Sequence, residues 1–520
     1  MPLEVPEFLN IAEEFVARPS REHPERLAIL GEPSRFTYED VAAAVNRAAN
    51  AFRAWGCQPG DRVLIVLPDS IEFIAAFFGA AKIGAVAVPV NSMARAEDYA
   101  YYLADSGVRF AVVHHSIVAE SVLKGLPPNL SVFAIAGGPT VKMPGFKTVS
   151  WEESCRAASE ECDAHRTRAT DPAFFLYTSG SGGTPKAAIH RHADMVHTSW
   201  GFAQGVLGLR EADVTYSVSK LFFAYGLGNG MYFPFSVGAS TILDPGKPKP
   251  ERTAEILARH RPTILCSVPT FFAALLREAE RGLNVDCSSL RVAVSAGETL
   301  PAEIFERFQQ KFGVEIIDGI GSTEMLHMFL SCRPGKARAA SCGTEVPGYD
   351  TRIVDDEGTE VAENEIGNLW VRGGSAFAGY WNKPELSART KRGDWVVTGD
   401  KFTRDADGFY HYCGRADDMM KVAGMWVSPG EVENALLAHP LVAEAAVVAS
   451  ENDLGLVHPA AYIVLKNGAA NRAELDNEMR DWMRKKLAGF KCPSEVHFVE
   501  SLPKTATGKI QRFRLRTATR

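Results

Sequence analysis

Residues 173–186 read AFFLYTSGSGGTPK, and the rest of the chain is best read outward from them. Ala173 to Leu176 is an apolar run of strand length. The segment from Tyr177 to Lys186 that follows is rich in glycine and hydroxyl groups. Glycines let backbone N–H groups turn toward a polyanion, Thr178, Ser179, Ser181 and Thr184 supply donors, and Lys186 adds a positive charge. The spacing is not GxxxxGK[ST], so this is not a Walker loop. A Gly/Ser-rich segment alone is more often an ordinary flexible loop. A Thr-Ser-Gly-Ser opening closed by Pro185-Lys186 is more specific, and it fits a phosphate cradle at a strand end.

On both sides of this loop, helical and strand-like runs alternate. Tyr38 to Trp55 has apolar residues at helical spacing, Arg62 to Leu67 is a β-rich run, Ile71 to Ile83 is helical, and Ala85 to Pro89 and Val108 to His114 are strand-like. The same rhythm returns with Ala254 to His260 and Phe271 to Arg281 as helices, and Thr263 to Ser267 and Leu290 to Ala296 as strands. Such alternation predicts parallel sheets covered by helices. Near Tyr380 the composition changes: Trp395 to Tyr412 reads as short strands with a turn at Asp407-Gly408. After Gly414 come two helix–strand pairs, Pro429 to His439 with Val442 to Ala449, then Ala473 to Leu487 with Glu495 to Phe498. These predict a compact α+β unit with its boundary near Asp417. There is no internal repeat. The arginines at 512, 514, 516 and 520 read as a solvated basic tail.

Composition narrows the function classes. With 520 residues, 46% of them hydrophobic and 23% charged, the chain has the profile of a soluble protein with a sizeable core. Lys+Arg number 56 against 63 Asp+Glu, a net charge of −7, so the basic surface that nucleic acid requires is absent. The nine cysteines show no metal or redox spacing and read as free thiols of a reducing, cytoplasmic setting. Met1 to Asn10 lacks the features of a secretory signal. The longest apolar stretch, Ile71 to Val90, carries Glu72 and Lys82, which argues against a membrane span.

Further motifs follow the loop in order. Asp318-Gly319-Ile320-Gly321-Ser322-Thr323-Glu324 follows a strand-like run, Val314 to Ile317. It sets a carboxylate beside a hydroxyl, a combination that suits Mg2+ bridged to phosphate oxygens. Taken alone, Glu324 would be a residue at a helix N-terminus. Thr398-Gly399-Asp400 places an acid after another strand, a common position for a ribose contact. Gly414 to Asp418 and Pro503 to Lys509 (PKTATGK) complete the series. His190-Arg191-His192 has no carboxylate or thiol partner at ligand spacing and reads as structural.

Together and in this order, these motifs resemble the adenylate-forming superfamily of acyl-CoA synthetases, peptide-synthetase adenylation domains and luciferases, across essentially the whole chain. Leu221 to Gly226 (LFFAYG), Ser295 to Glu298 (SAGE), Asp318 to Glu324 and the C-terminal KTATGKIQRFRLR look closest to benzoate–CoA and hydroxybenzoate–CoA ligases. The resemblance implies a large N-terminal adenylation domain, 1–414, of parallel-rich sheets covered by helices with a β-rich subdomain. A small mobile α+β domain, 415–520, would carry the catalytic lysine. Thr178, Ser179, Gly180, Ser181, Gly183, Thr184 and Lys186 would hold the β- and γ-phosphates of ATP. Gly297, Glu298, Asp318, Gly319 and Ile320 would line the adenine, Thr323 the α-phosphate, Glu324 the Mg2+, and Asp400 with Arg415 the ribose. Lys509 would reach the substrate carboxylate during adenylation. Asp417 would be the hinge, and the loop Lys421 to Trp426, with Gly424, would line the coenzyme A tunnel.

For the acid, the resemblance implies a single-ring pocket of Phe223, Ala224, Tyr225, His327 and Met328. His327 follows Glu324 by three residues, so a helix there would turn both to one side. Three positions depart from the superfamily pattern: Gly182 and Ala187 in the phosphate loop, and Ile320 where many members carry an adenine-stacking tyrosine. The implied reaction joins a small aromatic acid to coenzyme A. Other small acids, transfer to a carrier protein, and a non-catalytic nucleotide-binding role are alternatives. A homodimer is left open. So is a lysine acetyltransferase and deacetylase pair acting on Lys509, whose charge acetylation would remove.

Overall fold

The computed structural model describes residues 3–31, 34–94, 96–117, 130–142, 146–179, 184–422, 425–451, 457–466, 472–504 and 510–518. Its first large sheet has eight strands. Lys147–Ser150, Val132–Ala136, Phe110–His114, Arg62–Val66, Val86–Pro89 and Pro172–Ser179 run parallel, and Pro185–Arg191 and Gly379–Tyr380 close one edge antiparallel. The second has nine strands around a parallel core of Ser240–Ile242, Val214–Ser217, Ile264–Ser267, Val292–Ser295 and Ile316–Gly321. Strands buried on both faces read as continuous apolar runs, which is why Arg62–Val66 and Val292–Ser295 were legible.

Helices Tyr38–Ala54 and Ile71–Lys82 share the main core with both sheets. The first is started by a capping box, with the Thr37 hydroxyl accepting from Asp40 N and Asp40 accepting from Thr37 N. The two helices approach closely at Gly79, where a Cβ would come within 2.8 Å of the Ala48 methyl.

A third, antiparallel sheet contains Tyr349–Val354, Gly367–Gly373, Lys391–Arg392, Trp395–Arg404 and Tyr410–Arg415, the expected β-rich part. Beyond it, helices Pro429–Leu437 and Arg472–Lys486 accompany the sheet Val442–Glu451, Val457–Leu465 and Glu495–Phe498. This unit has its own core, including Val432, Leu436, Val447, Ile463, Met479 and Met483. The fold is thus parallel-rich α/β with a β-rich sheet and a terminal α+β unit.

Four local expectations are corrected. Strand Val457–Leu465, the centre of the small sheet, was not anticipated. Met420–Val422 and Met425–Val427, which flank residues 423–424, are paired antiparallel strands rather than loop. Two described arginines of the C-terminal segment are not solvated: in helix Arg512–Ala518, Arg512 donates to Glu433 at 2.8 Å and Arg516 pairs with Asp418. Finally, Asp318 and Asp400 lie within strands Ile316–Gly321 and Trp395–Arg404 rather than after them.

Candidate active site

Strands Pro172–Ser179 and Pro185–Arg191 form an antiparallel hairpin in which Thr178 pairs with Lys186 and Ser179 with Pro185. Thr184 is exposed beside them, while Gly180, Ser181 and Gly183 at the tip lie outside the described residues. Because Tyr380 pairs with Ala188 on the neighbouring edge strand, its ring falls next to Lys186. Lys186 Nζ donates to the Tyr380 hydroxyl, sits 4.1 Å from that ring's centroid, and lies 3.4 Å from Glu324 Oε1. The Tyr380 hydroxyl in turn donates to Glu324. Burial pushes the Glu324 carboxyl up, but the Lys186 ammonium and the Tyr380 hydroxyl outweigh it and hold the group below its usual range. Burial, with the adjacent carboxylate, raises the Tyr380 phenol.

Tyr380 was not among the sequence candidates. The signal was available in Gly379-Tyr380-Trp381, where a glycine at φ +156° precedes two aromatics at a sheet edge.

Thr323 and Glu324 sit on a single 3-10 turn, Thr323–Met325, which the Ser322 hydroxyl caps by accepting from Met325 N. His190 buttresses this turn: Nε2 donates to the Thr323 carbonyl at 2.8 Å, and Nδ1 faces Asp194 Oδ2 at 2.9 Å. His190 and Asp194 are fully buried, and His192 Nδ1 accepts from Ile11 N, so both histidines are structural, as expected. Among the described residues no three His, Cys, Asp or Glu side chains form a metal cluster.

The expected helix from Glu324 to His327 is not formed. Leu326 adopts φ +66° and ψ −41°, and His327 N donates to Met325 O at 2.8 Å, which closes a γ-turn of the rarer hand. The chain reverses there and enters strand Met328–Ser331. Glu324 stays with Lys186, while His327 enters an aromatic enclosure. It stacks on Tyr225 at 5.5 Å and meets Phe233 at 4.6 Å and Phe202 at 4.9 Å. Neither ring nitrogen has a hydrogen-bond partner among the described residues. Burial pulls its pKa down to about 3, an effect that the Tyr225 backbone opposes only weakly. Gly228 makes room, since a Cβ there would lie 2.8 Å from the imidazole. Met328 is buried beside His327, and Phe223 and Ala224 are half-buried against the same core. The Tyr225 hydroxyl is held inward by the carbonyls of Val294 at 3.0 Å and Ser267 at 3.2 Å.

Of the adenine candidates, Asp318 is buried opposite Ser295 on the adjoining strand. Burial raises its pKa to about 8 against the opposing pull of the Ser295 hydroxyl and Gly319 N–H, and its Oδ1 has no hydrogen-bond partner among the described residues. Gly319 admits no side chain, because a Cβ would lie 2.5 Å from the Leu330 carbonyl oxygen. Ile320 packs against the main core. Glu298 follows Gly297 and uses its carboxylate to accept from the N–H and hydroxyl of Thr270, in the first turn of helix Pro269–Glu280.

Asp400 and Arg415 are register partners joined by a 3.0 Å ion pair. Gly399 is required between them: its φ is +75°, and a Cβ would lie 2.8 Å from the guanidinium.

On the small unit, the Asp417 carbonyl accepts from Arg516 at 3.1 Å. Trp426 pairs with Lys421 across the two strands and lies between Lys421 at 5.6 Å and Lys401 at 5.3 Å. Gly424 and Lys509 lie outside the described residues. The structure therefore brings Lys186, Tyr380 and Glu324 together beside Thr323, and places His327 against Tyr225 beyond the turn at Leu326.

Comparison with known proteins identifies the family. The model of the AMP-binding enzyme family matches residues 16–381, and that of the AMP-binding enzyme C-terminal domain matches 431–509. A benzoate–CoA ligase of Thauera aromatica is 42% identical over 99% of this chain and 97% of its own. Among solved structures, an anthranilate CoA ligase in complex with anthranoyl-AMP superposes with a TM-score of 0.91 at 38% identity, covering 99% of this chain and 98% of that one. A benzoate CoA ligase from Burkholderia xenovorans LB400 gives 0.89 at 39% identity, covering 98% and 99%. The chain belongs to the AMP-binding enzyme family.

Proposed function

We propose that the protein is an ATP-dependent aryl-carboxylate–CoA ligase acting on benzoate or a hydroxybenzoate through an aryl-adenylate, with release of AMP and pyrophosphate. One observation carries the reading. The bend at Leu326 sets the charge-balanced wall of Lys186, Tyr380 and Glu324 beside the aromatic enclosure of His327. An acid whose ring enters that enclosure has its carboxylate turned toward the phosphate wall. The 42% identity to a benzoate–CoA ligase supports the same acid class.

A carboxylate is a poor electrophile at carbon, so its oxygen first attacks the α-phosphorus of ATP while the bond to pyrophosphate breaks. Two anions must meet, which needs preorganised positive charge and donors. Lys186 and the hairpin tip take the β- and γ-phosphates, Thr323 the α-phosphate, and Lys509 the incoming carboxylate. Asp400 and Arg415 hold the ribose. Gly297, Asp318, Gly319 and Ile320 line the adenine, and Glu298, whose carboxylate is engaged with Thr270, contributes its backbone.

Glu324 is a single carboxylate, a donor set suited to Mg2+ that arrives with phosphate oxygens rather than to a metal cage of protein ligands alone. The ion would supply charge neutralisation along the polyphosphate. In the second step the thiol of coenzyme A attacks the acyl carbon and AMP leaves. Unit 415–520 turns about Asp417, withdrawing Lys509 and presenting Lys421, Gly424 and Trp426 to the pantetheine arm; exclusion of water protects the adenylate meanwhile.

We assign the enzyme to the cytoplasm, in keeping with nine free cysteines. No helix among the described residues is long and apolar enough to cross a membrane. Acetylation of Lys509 would silence adenylation by removing its charge.

The test is AMP and acyl-CoA formation with ATP, Mg2+ and CoA across benzoate, its hydroxy and amino derivatives, cinnamate, cyclohexanecarboxylate and short fatty acids. An optimum at single-ring aryl acids is expected. A preference for aliphatic or cinnamate-type acids would overturn the pocket assignment, and adenylate formation without transfer to CoA would point to a carrier protein instead.

A further inference from the structure

Helix Ala96–Ser106 runs beside the phosphate hairpin and turns three polar side chains toward it. On the hairpin's first arm, the Tyr177 hydroxyl donates to Asp105 Oδ2 at 2.8 Å. On the second arm, the Pro185 carbonyl, one residue before Lys186, accepts from the Tyr101 hydroxyl at 2.7 Å. The same hydroxyl lies 3.2 Å from Asp105 Oδ1, but its single proton is given to the shorter contact with Pro185, so Asp105 reaches the first arm directly and the second by way of Lys383 and Tyr101. Lys383 completes the set, with Nζ donating to the Tyr101 oxygen at 3.3 Å and 3.6 Å from Asp105 Oδ1. Trp381 Nε1 donates to the Asp105 carbonyl at 2.9 Å, and the Tyr102 ring packs on Tyr177 at 4.6 Å. The Asp105 side chain is only 12% exposed. None of these groups has a part in the chemistry above.

Their placement gives them a mechanical one. Side chains alternate across a strand, so Tyr177 leaves the hairpin on the face opposite Thr178 and Lys186. The cluster thus grips the back of the hairpin while Lys186 works from the front. It acts on Tyr177 and Pro185, near the ends of the two arms that flank residues 180–183. Arms fixed in advance leave less ordering to be done when a polyphosphate binds.

We propose that Asp105, with Tyr101, Tyr177 and Lys383, is a positioning cluster that sets the attitude of the phosphate hairpin and thereby the affinity for ATP. This rests on the reading that the hairpin receives the phosphates of ATP. The experiment compares full-length wild type with Asp105→Asn and Tyr177→Phe in three measurements. These are ATP affinity by calorimetry with Mg2+ and no acid, KM values for ATP and benzoate in pyrophosphate exchange, and thioester formation from supplied benzoyl-adenylate.

We expect the Kd and KM for ATP to rise about tenfold, a change of ~1.4 kcal/mol. The KM for benzoate and the thioester step should stay as in wild type. The double variant should be little worse than the worse single one, because Asp105→Asn weakens and Tyr177→Phe removes the same bond. Unchanged ATP affinity, or equal losses in both half-reactions, overturns the proposal and leaves the cluster a purely structural role. If Asp105→Asn does not fold, Tyr177→Phe, which deletes one oxygen, carries the comparison. Wild type that binds ATP but activates no acid refutes the ligase reading while the ratio of ATP affinities still decides the cluster. Wild type that binds no ATP refutes both.

Discussion

Lys186 and His327 face opposite sides of one bend, and their surroundings differ in kind. On the nucleotide side, Lys186, Tyr380 and Glu324 satisfy one another, and His190 and Asp194 brace the turn behind them. On the aryl side, His327 is buried among three rings with two unpartnered nitrogens among the described residues. A polar group buried without a partner costs about 1–3 kcal/mol, so it persists where something else makes use of it. The first wall is organised before any substrate arrives. The second, on the proposed reading, keeps a polar group that the substrate ring would meet.

The strongest way to break this contrast is Lys186→Ala. It should lower aryl-acid-dependent pyrophosphate exchange by about 10²–10³-fold, as removal of a preorganised transition-state donor does. Thioester formation from supplied benzoyl-adenylate should suffer much less; an equal loss would mean that Lys186 does not serve the phosphates. Tyr380→Phe removes only the hydroxyl between two charges, and about a tenfold loss in the same exchange is expected. No loss would reduce Tyr380 to a packing ring.

His327→Phe sharpens the other half. Polar-substituted benzoates should lose ground against benzoate itself in competition assays. The variant should also change the acid limb of stability. The neutral imidazole is favoured in the fold, so the unfolded chain binds the extra proton, and stability is lost as pH falls from 6.5 toward about 3. Melting temperature against pH should therefore fall less steeply in His327→Phe than in wild type. The smallest effect is expected from Asp318→Asn. Burial favours the protonated acid, so its contribution is present below 3.8 and is lost as pH rises through about 8. The melting temperature of the variant relative to wild type should drift upward across that interval; a constant difference would mean that Asp318 is ionised in the fold.

The parallel strands were legible because their burial on both faces writes itself as unbroken apolar runs, as in Arg62–Val66. The phosphate-loop motif was legible because glycine, hydroxyl and lysine side chains are confined to a few consecutive positions, whereas the strand arms Tyr177 to Ser179 and Pro185–Arg191 were not anticipated. Val457–Leu465 was not, because its His458-Pro459 start removes a ladder donor and looks like a strand ending. Tyr380 and Asp105 reach the hairpin from residues far away in the chain, through an edge pairing and a helix side; beyond the Gly379-Tyr380-Trp381 run at the first, no local pattern marks them. The spacing of Glu324 and His327 suggested a helical face because i, i+3 positions share a side only while the helix continues. Leu326 ends it, and leucine carries no signature of positive φ.

That leucine has a consequence for how such a site can change. A non-glycine residue held at φ +66° stores roughly 1–3 kcal/mol of local strain, here inside a fully buried segment. If the proposed reading holds, the conformation of this one peptide unit, rather than the length of any helix or strand, sets the span between the group that would meet the acid's ring and the groups that would meet the phosphates. Exchange of a ring around His327 would then leave Lys186 and Glu324 in place, whereas an insertion or deletion at this corner would separate the two.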